Sequence, residues 1–156
     1  SQGLDEIVFR VAGHAGMTPR PIGKVASGGE LSRISLAIAV ATSALGNAET
    51  LIFDEVDAGI GGAVALTVGR LMQQLGQDRQ VLAVTHLPQV AACADHHLLV
   101  SKGKTAQGPS STVVSLAPTQ RIAEVARMLG SEKTSAASMA HAREMLGIAP
   151  GVEEEK

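Results

Sequence analysis

Tryptophan and tyrosine are missing from this 156-residue chain, and only two phenylalanines stand in for them. With so little aromatic surface there is no platform on which nucleic-acid bases would stack. Cysteine is nearly missing too. Cys93 stands alone, which excludes an internal disulfide and a cysteine zinc cluster and fits a reducing compartment. Although 45% of the residues are hydrophobic, no apolar run approaches the roughly 20 residues of a membrane helix. The apolar content is therefore expected to fill a core, with no role at a membrane. Net charge is only −2, so bulk electrostatics give this chain by itself no grip on DNA. A charged segment followed by an apolar one, as in a secretory signal, is also absent, and the chain opens on Ser1. A truncated or processed cytoplasmic product is the expectation.

What is present is an alternation of short apolar strands and helices. Glu6 to Ala12 reads as a strand, residues 13 to 23 as a Gly/Pro loop, and Gly28 to Leu45 as a helix apolar around most of its circumference. Strands follow at Thr50 to Phe53 and Gln80 to Thr85, with a helix from Val64 to Leu75 between them. Pro88 sits at a natural first helical position for a short helix reaching about Ala94. His97 to Ser101 and Thr112 to Leu116 read as paired strands across the turn-rich Lys102 to Ser110, and helices at Gln120 to Leu129 and Ser135 to Leu146 close the domain. The helices run out into Gly46, Gly76, Gly130 and Gly147, as C-terminal caps do. Residues 1–149 thus form one α/β unit with a mostly parallel sheet flanked by helices, and residues 150–156 an acidic, disordered tail.

The chemistry gathers around Lys24-Val25-Ala26-Ser27-Gly28-Gly29-Glu30-Leu31-Ser32-Arg33. Ser27 is a good N-cap, Glu30 three residues on completes a capping box, and Gly28 and Gly29 let a ligand approach the backbone. Free amides there, with the positive end of the helix dipole, form a seat for an anion such as phosphate. The same ten residues also read as an ordinary capped helix after a glycine turn. Asp54 and Glu55 stand directly after an apolar strand, where ligands of parallel sheets collect. Asp54 has the place of a Mg²⁺ carboxylate in P-loop nucleoside triphosphatases, and Glu55, on the other side of an extended backbone, is a candidate general base. His86, after the next strand, has the place of a phosphate or water partner. Two acids capping a turn and a structural histidine are the plainer readings. Asp57-Ala58-Gly59-Ile60-Gly61-Gly62 is a second glycine-rich loop. His96 and His97 lack the partners of a metal site, Lys102 and Lys104 read as a solvated hairpin, Met128, Met139 and Met145 as gap fillers, and Cys93 as a small buried hydrophobe.

Order turns these separate signals into one. A helix start S-G-G-E, a strand ending D-E, a D-A-G loop and a strand ending T-H fall within about sixty residues. This looks like the C-terminal half of an ABC-type ATPase head, whose signature motif, Walker B strand, D-loop and switch histidine come in that order. The combination K-V-A-S-G-G-E-L-S-R, D-E-V-D-A-G-I-G-G and T-H-L-P-Q-V-A-A-C-A-D-H-H, with the late R-M-L-G and H-A-R-E-M-L, resembles the bacterial RecN family, SMC-like proteins of DNA double-strand break repair.

The resemblance implies ATP and Mg²⁺ as ligands, with Asp54 holding Mg²⁺ through water, Glu55 and His86 catalytic, and Ser27, Gly28, Gly29, Glu30 and Asp57 binding nucleotide. It implies that the signature residues meet an ATP held by a second head, so that binding drives dimerisation, and that DNA is met through the full-length, nucleoid-associated protein. The sequence contains no G-x-x-x-x-G-K-[ST], because Gly23-Lys24 lacks the leading glycine and the following Ser/Thr. In that family an N-terminal half-head carries this motif, beyond a long coiled coil. This chain by itself is therefore expected neither to bind ATP tightly nor to hydrolyse it. Another ABC-class ATPase, SMC-like or a transporter subunit, and a non-enzymatic dimerisation or docking module stay open as alternatives.

Overall fold

The structure, a computed structural model, describes residues 3, 8–12, 16–24, 28–42, 48–105, 108–130 and 135–148. Two short strands, β1 (Arg10–Val11) and β2 (Arg20–Pro21), pair antiparallel. The second lies in what the sequence suggests is loop; a two-residue pair at an edge accommodates Pro21, which has no amide to donate. Helix α1 (Gly28–Ala41) follows, then β3 (Thr50–Phe53), α2 (Gly62–Leu75) and β4 (Gln80–Ala83). Strands β3 and β4 run parallel, Thr50 opposite Gln80 and Phe53 opposite Ala83, and the Val84 amide extends the ladder to the Phe53 carbonyl at 2.9 Å. Parallel neighbours need a crossover, and α2 supplies it.

The short helix α3 (Pro88–Ala92) leads to an antiparallel ribbon of β5 (Leu98–Thr105) and β6 (Gly108–Ser115). Helices α4 (Pro118–Met128) and α5 (Ala136–Met145) end the described chain. The architecture is the α/β one expected, with parallel pairing at β3–β4 and antiparallel pairing in the other two strand pairs among the described residues. The far end of the expected first helix, from residue 43, the start of the expected first strand and the acidic tail lie outside the described residues.

Two clusters hold these elements. Ala65, Val68, Met72 and Leu75 recur along one face of α2 and meet Leu36 of α1, Phe53 of β3, Val56 and Val90. Burial of such side chains contributes about 1.5–3 kcal/mol each. At Gly69 the chain comes so close to α3 that a Cβ would lie 2.8 Å from Cys93 Sγ. Cys93 is half-buried rather than fully buried; burial pushes its thiol pKa up, and its Sγ donates to the Gln89 carbonyl at 3.3 Å. Although its sequence is apolar around most of its circumference, α1 buries only one side; Leu31 and Ile38 are exposed.

The second cluster joins α4 to α5 through Ile122, Val125, Ala126 and Ala142, with Met139 and Met145 packed against it. Ser135 caps α5, its Oγ accepting from the Ser138 amide while the Ser138 hydroxyl accepts from the Ser135 amide. Arg121 of α4 ties the clusters together. Its guanidinium donates to the carbonyls of Ala91, Ala92, Ala94 and Asp95, filling the acceptors left open where α3 ends.

Nearby, burial and then the Arg121 charge lower the His97 pKa, favouring a neutral ring in the fold. Hydrogen bonds from Arg127 hold the Glu124 carboxyl below its usual value. In both cases the unfolded chain binds the proton more readily. The His97 contribution is complete above its unfolded pKa of 6.5 and is lost as pH falls below it, and Glu124 adds to the loss below 4.5. The urea midpoint is therefore expected to drop between about pH 7.5 and pH 5.5, and the drop to shrink in His97→Leu. An equal pH dependence in both chains would contradict this.

Candidate functional site at the carboxyl end of β3 and β4

The first turn of α1 sits directly on the loop that leaves β3. Ser32 Oγ donates to the Asp54 carbonyl at 2.8 Å. Arg33 Nη1 donates to the Ala58 carbonyl at 2.9 Å and, at 3.4 Å, to that of Val56. Each such bond contributes on the order of 1 kcal/mol, and more from a charged donor. Glycine is required for the approach: a Cβ on Gly29 would lie 2.8 Å from Ala58 Cβ and 3.1 Å from the Glu55 carbonyl oxygen. On Gly28 a Cβ would lie 2.9 Å from Glu55 Oε2. The Glu55 carboxylate thus lies against the amide end of α1.

Glu55 has φ = 55°, the one non-glycine in the left-handed region among the described residues. An L-residue there is strained by about 1–2 kcal/mol, so its surroundings must hold it. Asp54 contributes, its Oδ1 accepting the Glu55 amide at 2.9 Å, and the Glu55 carbonyl accepts from the Ala58 amide at 3.1 Å. The side chains of Asp54 and Glu55 are exposed at the end of the strand.

Asp57 differs. It is 3% exposed, and its Oδ2 accepts from the Thr85 hydroxyl at 2.5 Å and from the His86 amide at 3.0 Å, while His86 Nδ1 lies 3.2 Å away. The Thr85 hydroxyl in turn accepts from the Leu87 amide at 3.0 Å. A proton on Nδ1 directed at the carboxylate leaves Nε2 as the free nitrogen of an imidazole that is 73% exposed. One loop, residues 54–58, therefore joins the start of α1 to His86.

The structure brings Gly28 and Gly29 to Glu55, and Asp57 to His86. Glu30 lies in the first turn of α1. Ser27, the expected cap, lies outside the described residues. Ser32, Arg33 and Thr85 are not singled out as site residues by the sequence; Ser32 and Arg33 follow the S-G-G-E segment, and Thr85 is the first residue of the T-H pair. Exposed carboxylate oxygens of Asp54 and Glu55 end the strand, and the first turn of α1 carries no side chain at Gly28 or Gly29, Gly29 being packed against Ala58 and Gly28 lying beside the Glu55 carboxylate. A groove of about 350 Å³ beside this point is lined by Leu31, Ser35, Ile52 and Asp54, among others.

No protein-family model matches the chain. It is similar to the DNA repair protein RecN of Vibrio cholerae, 49% identical over 144 residues, which is 92% of this chain and 26% of that protein. RecN of Mycobacterium leprae is 49% identical over 96% of the chain, and RecN of Treponema pallidum 42% over 92%. The chain spans about a quarter of the length of these relatives. Among solved structures, the Smc head domain of Pyrococcus yayanosii with its coiled coil and joint superposes with a TM-score of 0.57 at 28% identity, over 72% of this chain and 21% of that one. A chain from work on ATP-driven dimerisation and DNA-stimulated activation of SMC ATPases gives 0.53 at 26% identity, over 76% and 71%.

Replacing Asp57 with alanine leaves the Thr85 hydroxyl and the His86 amide without their acceptor. We expect a loss of about 2 kcal/mol in urea unfolding and faster amide exchange at His86. Unchanged stability together with unchanged exchange would contradict the assignment of Asp57 as the anchor of His86.

Proposed function

We propose a function from one premise: the chain belongs to the RecN family over the quarter of those proteins that it spans. Residues 1–149 are then the C-terminal lobe of an SMC-like head that hydrolyses ATP and acts in repair of DNA double-strand breaks. The observation that carries this reading is the 54–58 loop, which joins a glycine helix start, an exposed acid pair and a carboxylate-anchored histidine.

In this reading Asp54 would hold Mg²⁺ through water; the ion supplies positive charge to the phosphate oxygens. Glu55 accepts a proton from the attacking water, and its exposed carboxylate at the strand end is free to meet one. His86, aligned by Asp57, offers Nε2 to the γ-phosphate or that water. Asp57 serves the nucleotide site through His86, since its own carboxylate is buried and engaged. Ser27, Gly28, Gly29 and Glu30 receive the γ-phosphate of an ATP bound by a second head, using the amide end of α1. Two heads thereby close on two nucleotides, and hydrolysis opens them.

The partner lobe carries the G-x-x-x-x-G-K-[ST] cradle that this sequence lacks, together with the coiled coil, and DNA is engaged by the full-length protein. Mixed with that lobe, the chain is expected to gain ATPase activity, and Glu55→Gln to remove it while an ATP-dependent dimer persists. Ser27→Arg is expected to abolish that dimer and spare nucleotide binding. ATP turnover by the chain alone that Glu55→Gln removes would overturn the division between the lobes, and an undiminished dimer in Ser27→Arg would overturn the role of α1 in meeting a second head.

A further inference from the structure

The contacts between α1 and the loop after β3 fall around a single residue. Ser32 holds the carbonyl before Glu55, and Arg33 holds those of Val56 and Ala58 after it. Gly29 packs so close to Ala58, and tightly enough on the Glu55 carbonyl, that a methyl group would force a shift of the turn. Glu55 itself keeps a left-handed backbone, a conformation that persists only where its neighbours impose it. The bonds reach across 22 to 25 residues of sequence and end on consecutive stretches of one turn.

We propose that Ser32 and Arg33 are positioning residues for Glu55: they tie the first turn of α1 to the turn that carries the carboxylate, so that a phosphate seated on α1 sets where Glu55 stands. The proposal rests on the functional reading above and adds to it a path between two nucleotides. α1 meets the nucleotide of the second head, whereas Glu55 acts on that of its own. Displacing α1 by even a fraction of a hydrogen-bond length draws the carbonyls of Asp54, Val56 and Ala58 with it, and Glu55 lies between them. The carboxylate already lies against Gly28, at the point where an incoming anion would bind. A γ-phosphate arriving there repels it, and the tethered backbone limits where the side chain can go. Closure of the dimer and alignment of the general base are thus one event.

Arg33 uses a single nitrogen for both carbonyls, so a lysine retains a donor in reach and a methionine does not. Likewise Ser32→Thr keeps the hydroxyl that Ser32→Ala removes. The test uses a complete head, this chain joined to its N-terminal lobe, with steady-state ATPase kinetics and sedimentation with and without ATP. In Arg33→Met, kcat is expected to fall by about tenfold or more while KM for ATP and the ATP-driven dimer stay within about twofold, and Arg33→Lys to recover most of the loss. Ser32→Ala is expected to lose severalfold in kcat, recovered by Ser32→Thr. A kcat for Arg33→Met within about twofold of the parent overturns the proposal. So does a kcat that falls in step with the dimer or with thermal stability and is not recovered by lysine, since that is a plain structural staple. A parent head without any ATPase activity overturns the functional reading and this proposal together, whereas an active parent with an undiminished Arg33→Met overturns this proposal alone.

Discussion

The bond from the Arg33 guanidinium to the Ala58 carbonyl, with that of Ser32 to Asp54, is the constraint on which the site depends. Backbone carbonyls in a turn leaving a strand have no ladder partner, and these find theirs on α1. The same contact explains the glycines. At Gly29 the helix approaches the turn too closely for a Cβ to fit without a shift of Ala58, so the glycine serves the protein's own packing.

On its other side the turn is secured to β4. Asp57 is buried and gathers Thr85 and His86. A buried carboxylate without donors would be costly, and here two hydrogen bonds and an imidazole satisfy it. The β3–α2–β4 unit beneath, packed through Phe53, Val56, Val68 and Met72, fixes the distance between the two strand ends. Two segments remote in sequence, the first turn of α1 and Thr85–His86, thus meet on one five-residue turn, each held by polar atoms rather than by shape alone. Such polar anchoring gives the turn the rigidity that the proposed nucleotide site would need.

Much of this was legible in the chain. Thr50–Phe53 emerges as a strand at its expected bounds, and Pro88 opens α3, because short apolar runs and proline have local causes. Gly130 and Gly147 adopt positive φ after α4 and α5, as caps should, whereas Gly76 remains right-handed after α2 and closes it with an ordinary turn. The family pattern singles out Asp54, Glu55, Asp57 and His86 as candidates, and the structure brings them to the carboxyl ends of β3 and β4. The pattern did not reveal that Asp57 faces inward, because burial depends on what lies above the loop. Ser32 and Arg33 were invisible for the same reason: on a helix they read as polar residues, and their partners lie more than twenty positions away. The left-handed turn at Glu55 had no signal, since glutamate is not a residue that announces such a backbone. Composition likewise makes α1 apolar around most of its circumference, but burial is decided by neighbours, and Leu31 and Ile38 are exposed.

Amide hydrogen exchange across residues 54–60, compared between the parent head and Arg33→Met without nucleotide, tests most directly whether α1 holds the turn. The Ala58 amide, bonded to the Glu55 carbonyl, and the Ile60 amide, bonded to that of Asp57, are protected only while the turn keeps its shape. If α1 holds the turn, both exchange faster by about tenfold in the variant, while amides in the middle of α2 are unchanged. Equal protection of the turn in both proteins would contradict it.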